Sequence, residues 1–215
     1  MSTPRVLVLA VQSPFSDGGA EKQRFYVPFL KGLPGPVLDV GCGRGEFLAM
    51  LREERVPASG VEINRLSVAL GRAGGFEIEE GDGVASLSRR PPGSLGGVVA
   101  FQVVEHWPAE ATFAFLRAAR RALAPGGVLI AETINTDSLS ALKAFVLDPT
   151  HVRPVPADAL RFLAEAAGFT DTQIEYRAPL PAPERLAEAS ANDAKLNRLL
   201  FGPQDYALIA RVPAA

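Results

Sequence analysis

Histidine, cysteine and lysine are scarce in this chain, at two, one and four residues out of 215. A lone cysteine, Cys42, excludes an intramolecular disulfide, and two histidines beside it argue against a dedicated zinc site, so no metal is expected. No excess of either charge is present. A net charge of -2 and a pI near 5.8 give no global field toward nucleic acid or anionic lipid, and neither is expected as a partner. Long apolar runs are missing too. The stretch Val6 to Val11 is far short of the roughly 20 residues of a membrane helix, and no basic run precedes it. Neither signal peptide nor anchor is expected, and the setting implied is cytoplasmic. What remains is 47% hydrophobic and 21% charged, with twenty glycines and eighteen prolines that punctuate periodic segments without forming a repeat. Such a chain can bury a sizeable core.

The periodic segments alternate. An amphipathic stretch at Glu21 to Leu30 precedes a short apolar run, Pro36 to Val40, which enters the turn Gly41-Cys42-Gly43-Arg44-Gly45. Glu46 to Glu54 places Phe47, Leu48 and Leu51 on one helical face, and Ala58 to Ile63 reads as the next strand. The same unit recurs through helix Arg65 to Arg72, strand Phe76 to Glu80, helix Val84 to Arg89 and strand Gly97 to Gln102. Helix Ala109 to Leu123 follows, broken by Pro125-Gly126-Gly127 before strand Val128 to Glu132. Alternation of this kind specifies an α/β fold with a doubly wound, mainly parallel sheet. The last third departs from it, with a helix at Ser138 to Val146, a Pro-rich turn at Asp148 to Pro156, a helix stopped by Gly168, strands Thr172 to Tyr176 and Tyr206 to Val212, and a helical stretch Pro183 to Leu200 between them. The expected organisation is an extension over residues 1–20 and one domain over 21–215, with a helical insertion at about 137–156. Whether the β-prone Val6 to Val11 joins the sheet is open.

The glycine turn carries chemistry. Glycine is required where backbone must approach a ligand at a strand's carboxyl end. A dinucleotide fingerprint wants a further glycine three residues after its second one, but that position is Glu46, and the order here is Gly41-x-Gly43-x-Gly45. A carboxylate there also repels a pyrophosphate. The turn therefore favours a ligand without phosphates, with an ammonium that Asp39 or nearby carbonyls can hold. Glu62 ends the next strand, where a carboxylate can accept two ribose hydroxyls, with Ile63 beside it. Gly81-Asp82-Gly83 ends the third strand, suited to an adenine amino group, and Gln102 ends the fourth. Asp82 is equally suited to capping the helix that follows, and the two roles can coexist. Cys42 reads as a small spacer.

These residues resemble a family. Val37-Leu38-Asp39-Val40-Gly41-Cys42-Gly43-Arg44-Gly45 is similar to the first motif of class I S-adenosylmethionine-dependent methyltransferases, and Glu62, Gly81-Asp82 and Leu123-Ala124-Pro125-Gly126-Gly127 match later motifs in order. The resemblance implies a seven-stranded Rossmann-like sheet with an antiparallel last strand, S-adenosyl-L-methionine as methyl donor and S-adenosyl-L-homocysteine as product. A narrower resemblance is to methyltransferases of bacterial surface-polysaccharide (O-antigen) clusters, through Gly43 to Leu48, Val104-Glu105-His106, Leu147 to Pro154 and Phe201 to Tyr206. It implies a saccharide or glycan acceptor. Gln23-x-x-Tyr26 resembles that group's first helix, which implies that Gln23 and Tyr26 cover the cofactor.

Catalytic candidates stand at the next rim positions. His106 follows the fourth strand, and His151 and Arg153 sit in the Pro-bracketed turn after the insertion. For a hydroxyl acceptor, His106 or His151 is the general base; for a phosphate acceptor, Arg153 and protonated His151 hold the anion. A purely structural turn anchor is the competing reading for the last two. A small-metabolite methyltransferase, a nicotinamide-dependent oxidoreductase and a non-catalytic binding module are the alternatives, the oxidoreductase being opposed by Glu46.

Overall fold

The computed structural model describes residues 22–214. The 1–20 extension and the Val6 to Val11 run therefore lie outside the described residues. A 3₁₀ turn at Arg24–Tyr26 leads into α1 (Val27–Leu30). Then follow β1 (Val37–Val40), α2 (Glu46–Glu53), β2 (Ala58–Glu62), α3 (Arg65–Ala73), β3 (Ile78–Glu80), α4 (Gly83–Arg89) and β4 (Leu95–Phe101). After a 3₁₀ turn at Val104–His106 come α5 (Ala109–Ala122), β5 (Leu123–Ile134), α6 (Leu139–Leu147) and α7 (Ala157–Ala166). The chain closes with β6 (Thr170–Arg177), α8 (Ala191–Phe201) and β7 (Asp205–Arg211).

The sheet order is β3-β2-β1-β4-β5-β7-β6, parallel except for β7, which runs antiparallel to β5 on one side and β6 on the other. This is the seven-stranded Rossmann-like arrangement, with the reversed last strand where it was expected. Because successive strand residues face opposite sides, each central strand serves two cores. Leu38, Val98, Leu129 and Leu208 pack with α5 and α7 through Phe115, Leu116 and Leu160. Val37, Val99, Ile130 and Ile209 pack with Tyr26, Leu30, Phe47 and Leu51 on the other face. Order reverses between β1 and β4, so their carboxyl ends flank a crevice where such sheets bind ligands.

Two boundaries differ from expectation. Pro125-Gly126-Gly127 does not separate helix from strand: α5 ends at Ala122 and Leu123 already pairs with Leu95, after which the ladder jumps to Gly97–Val128. The Pro-Gly-Gly segment is an excursion inside β5. The helix expected from Pro183 begins only at Ala191, where Ser190 accepts from the Asp193 N–H. Asn197, buried within α8, explains the delay: its side chain accepts from Leu186 N–H and donates to Leu186 O, both at 2.8 Å, which holds the preceding segment out of the helix.

Candidate active site

The turn after β1 is tied to β2, since Gly41 N–H donates to Val61 O at 2.8 Å. Gly41, Gly43 and Gly45 have φ of +74°, +56° and +94°, the left-handed region that side chains rarely adopt. Their surroundings separate them. A Cβ at Gly41 would fall 2.5 Å from Val103 and one at Gly45 2.6 Å from the Phe76 ring, whereas one at Gly43 would meet only Glu46 Oε2, at 3.4 Å. Packing explains the outer two glycines; the middle one faces open space. Cys42 lies buried with Leu48, Val68 and Ile78, its thiol raised by burial, as a spacer should be.

Glu62 reaches back to this turn. Its Oε2 accepts from Gly43 N–H at 3.0 Å and its Oε1 from Asn64 N–H at 2.7 Å, so main-chain donors aim the carboxylate and leave each oxygen a lone pair for a diol. Ile63 beside it is 73% exposed, an apolar surface at the rim. Asp39 is buried, and desolvation, with Glu62 and Glu46 nearby, pushes its pKa up to about 8. Asp82 caps α4 by accepting from Ala85 N–H at 2.8 Å, and Gly83 is where α4 presses against Val40. The capping role of Asp82 is thus present, and its exposed position leaves a ligand role open to test.

Gln102 has a φ of +55° and turns its amide to Asp205 Oδ1 at 3.1 Å. Tyr26 is fully buried, stacked on Phe101, with its hydroxyl donating to Glu132 Oε2. Its partner is thus the end of β5 and not the glycine turn. Gln23 is half-buried at the start of the 3₁₀ turn. Glu132 was not singled out from sequence; burial lifts it to about 7. Its signal is a carboxylate closing an otherwise apolar strand.

Across the crevice the two histidines of the chain meet, with ring centroids 4.7 Å apart. The loop after α6 brings them together. Val152 N–H donates to Glu105 O at 2.8 Å, and Tyr206 donates to Val155 O at 2.8 Å, which pins the loop onto β7. His151 Nδ1 lies 2.7 Å from Phe145 O, and a carbonyl only accepts, so Nδ1 carries a hydrogen and, in the neutral ring, Nε2 holds the lone pair. His106 Nδ1 lies 3.2 Å from Thr150 O and 3.1 Å from Thr150 Oγ1, whose own hydrogen goes to Asp148 Oδ1. The same tautomer follows for His106. Desolvation holds the His106 pKa below its ordinary value, which keeps the ring neutral. Arg153 is half-buried and anchored through its main-chain N–H to Glu105 O at 3.3 Å. Glu105, another residue not singled out as a candidate, is 1% exposed; Oε2 accepts from Thr133 Oγ1 at 2.8 Å, Oε1 has no partner, and burial lifts the carboxyl to about 8.

The comparisons with known proteins agree with this geometry. Residues 20–174 match the family model of a methyltransferase domain. A probable S-adenosylmethionine-dependent methyltransferase of Mycolicibacterium smegmatis is 31% identical over 182 residues, which are 83% of this chain and 70% of that protein. The ubiquinone biosynthesis O-methyltransferase of Pseudomonas paraeruginosa is 28% identical over 54% of this chain, and the chain spans about half (51%) of that relative. Among solved structures, a SAM-dependent methyltransferase from Archaeoglobus fulgidus superposes with a TM-score of 0.86 at 35% identity, covering 91% of this chain and 93% of its own. No helix among the described residues is long and apolar enough to cross a membrane. The family model and these relatives agree: the chain belongs to the S-adenosylmethionine-dependent methyltransferases.

Proposed function

We propose that the protein methylates a hydroxyl oxygen on a small-molecule or saccharide acceptor. The observation that carries this reading is the histidine pair, with both Nδ1 atoms committed to main-chain carbonyls and both Nε2 lone pairs left for an acceptor. S-adenosylmethionine supplies a methyl group on a sulfonium. Asp39 receives its ammonium, Glu62 its ribose diol and Ile63 an adenine face, while Gly43 lets the backbone approach, as a phosphate-free cofactor requires. Gln102, Asp82 and Gly83 line the same rim, and Gln23 and Tyr26 support it from the first helical segment, Tyr26 by holding Glu132.

The chemistry left to the chain is alignment and removal of the hydroxyl proton, for which the His106–His151 pair supplies the acceptor nitrogens. A phosphate acceptor is less well supported. Glu105, Glu132 and Asp205 share one edge of the sheet, where burial already raises the proton affinity of each carboxyl and an anionic acceptor beside them would raise it further. Arg153 is kept as a positioning group for the acceptor. The saccharide reading rests on motif resemblance alone. A second reading, an acceptor with an apolar portion, is favoured by Val146, Leu147 and Val152, all more than half exposed around His151. The ubiquinone-pathway relative points the same way.

The test is methyl transfer from labelled S-adenosylmethionine to panels of sugars and of phenolic small molecules, using full-length chain. His106→Ala and His151→Ala are expected to lower turnover by roughly 10²–10⁴-fold on any productive acceptor. Cofactor affinity should stay unchanged. Near-wild-type turnover in both variants contradicts the reading.

A further inference from the structure

Glu105 presents an unusual combination. Its carboxyl is almost fully buried, one oxygen is engaged by Thr133, and the other has no hydrogen-bond partner. An orphaned carboxylate oxygen in a protein interior is costly and calls for a partner outside the chain's own donors. Among the described residues, one ligand atom each from Glu105, His106 and His151 lies within 4.8 Å of the other two. The chain holds no other histidine, and these two stand 45 positions apart in sequence.

We propose that Glu105, His106 and His151 form a binding site for a divalent transition-metal ion, of the zinc, manganese or cobalt class. Two imidazole nitrogens and one carboxylate oxygen suit those ions better than magnesium or calcium, which prefer an all-oxygen set. The surroundings of the rings support this assignment independently of the cluster. A ligating histidine usually donates its second ring N–H to a carbonyl or carboxylate, which fixes the tautomer and aims the free nitrogen. His151 does so toward Phe145 O and His106 toward Thr150 O. Asp148 Oδ2 lies 3.9 Å from His151 Nε2, beyond hydrogen-bond distance, so that lone pair stays uncommitted. The Glu105 carboxylate is steadied in turn by Thr133, and its carbonyl anchors the loop that carries His151. Ligands of one ion at about 2.1 Å stand roughly 3–4 Å apart, so loading draws the three atoms together by about an ångström, within reach of small side-chain rotations.

The composition-based expectation of no metal came from counting histidines and cysteines, and the fold gathers both histidines into one place. The site itself does not depend on the proposed acceptor. The role of the ion does rest on that reading: facing the hydroxyl, it would bind the oxygen and promote loss of its proton to solvent. The oxygen–methyl bond then forms as the sulfur–methyl bond breaks, with that electron pair returning to sulfur. With the ion in place, the histidines act on the acceptor through it.

The experiment uses full-length, untagged chain dialysed against chelator and titrated with Co²⁺, followed by its visible absorption and by calorimetry, without cofactor. One saturable equivalent is expected, displaced by Zn²⁺. Glu105→Gln, His106→Ala and His151→Ala should each weaken it at least 10-fold, the usual scale for a disturbed metal site. Circular dichroism and melting confirm that the variants are folded, and three separate positions keep the test independent of any one that fails. Absence of saturable binding in the wild type, or undiminished binding in the folded variants, overturns the proposal. If cobalt does not bind but the histidine variants still lose methyl transfer, the metal site fails and the acceptor reading stands. If cobalt binds and the variants transfer methyl normally, the reverse holds.

Discussion

The two halves of the crevice are built on different terms. On the β1–β2 side, the carboxylate that matters is satisfied by main-chain donors: Glu62 is held by Gly43 and Asn64 N–H. On the β4–β5 side, Glu105 keeps one buried oxygen without a partner, and Glu132 relies on a buried tyrosine and a long contact to Gln102. On the reading proposed above, the first side meets the cofactor, and the backbone aims its ribose acid in advance. Buried carboxyls with raised proton affinity stand on both sides, Asp39 on the first and Glu105 and Glu132 on the second; what sets the second side apart is the Glu105 oxygen left without a partner.

Substitutions in the glycine turn should break this contrast most sharply. Gly45→Val combines a left-handed backbone with a clash against Phe76, and should cost on the order of 2–5 kcal/mol of stability. Thermal melting checks it. Gly43→Val has room for its side chain and should remain folded with only about 1–2 kcal/mol of backbone strain. It should nevertheless lose cofactor binding almost completely, because the space it fills is the ligand's. Equal melting temperatures for the two variants would show that packing does not separate these glycines.

Glu62→Ala should weaken S-adenosylmethionine binding by about 1.5–3 kcal/mol, the range for hydrogen bonds to a charged group. Calorimetry checks it.

Asp39 sharpens the comparison through pH. Its folded pKa of about 8 lies above the ordinary 3.8, so the folded chain holds a proton that the unfolded chain releases. Its contribution to stability is fully present below about pH 4 and is lost as pH rises toward 8. A ligand ammonium reverses the preference and should expel that proton, so cofactor binding at pH 7 should release close to one proton per site. Titrations in buffers of different ionisation enthalpy measure this release. Asp39→Asn should abolish it and flatten that arm of the stability profile.

Asp82→Ala should have the smallest effect, about 0.5–2 kcal/mol of stability from the lost cap. A larger loss in cofactor affinity than in stability would establish the adenine role as well.

The cofactor half was legible in the sequence because its determinants are local. A strand, a turn with glycines at alternate positions and an acid at the next strand end lie within Val37 to Glu62, and each imposes its own pattern. The acceptor half is assembled by the loop from Asp148 to Pro154. His106 and His151 could be placed at the mouth from their strand-end positions, but their 4.7 Å approach depends on main-chain bonds to Glu105 that no periodicity encodes. Glu105 was hidden within the same Val104-Glu105-His106 motif, since burial of a charged residue has no local signature. Tyr26 is assigned to the cofactor by resemblance alone, while the contact of its hydroxyl with Glu132, across 106 positions of sequence, has no local signal. The Pro-Gly-Gly excursion in β5 was misread because the strand resumes pairing on both sides of it.

Calorimetric affinity for S-adenosylhomocysteine, measured side by side in Glu62→Ala and His106→Ala, tests the division of the crevice most directly. The account predicts that the first variant loses about 10-fold or more while the second binds like the wild type. Equal losses in both, or a loss confined to His106→Ala, would contradict it.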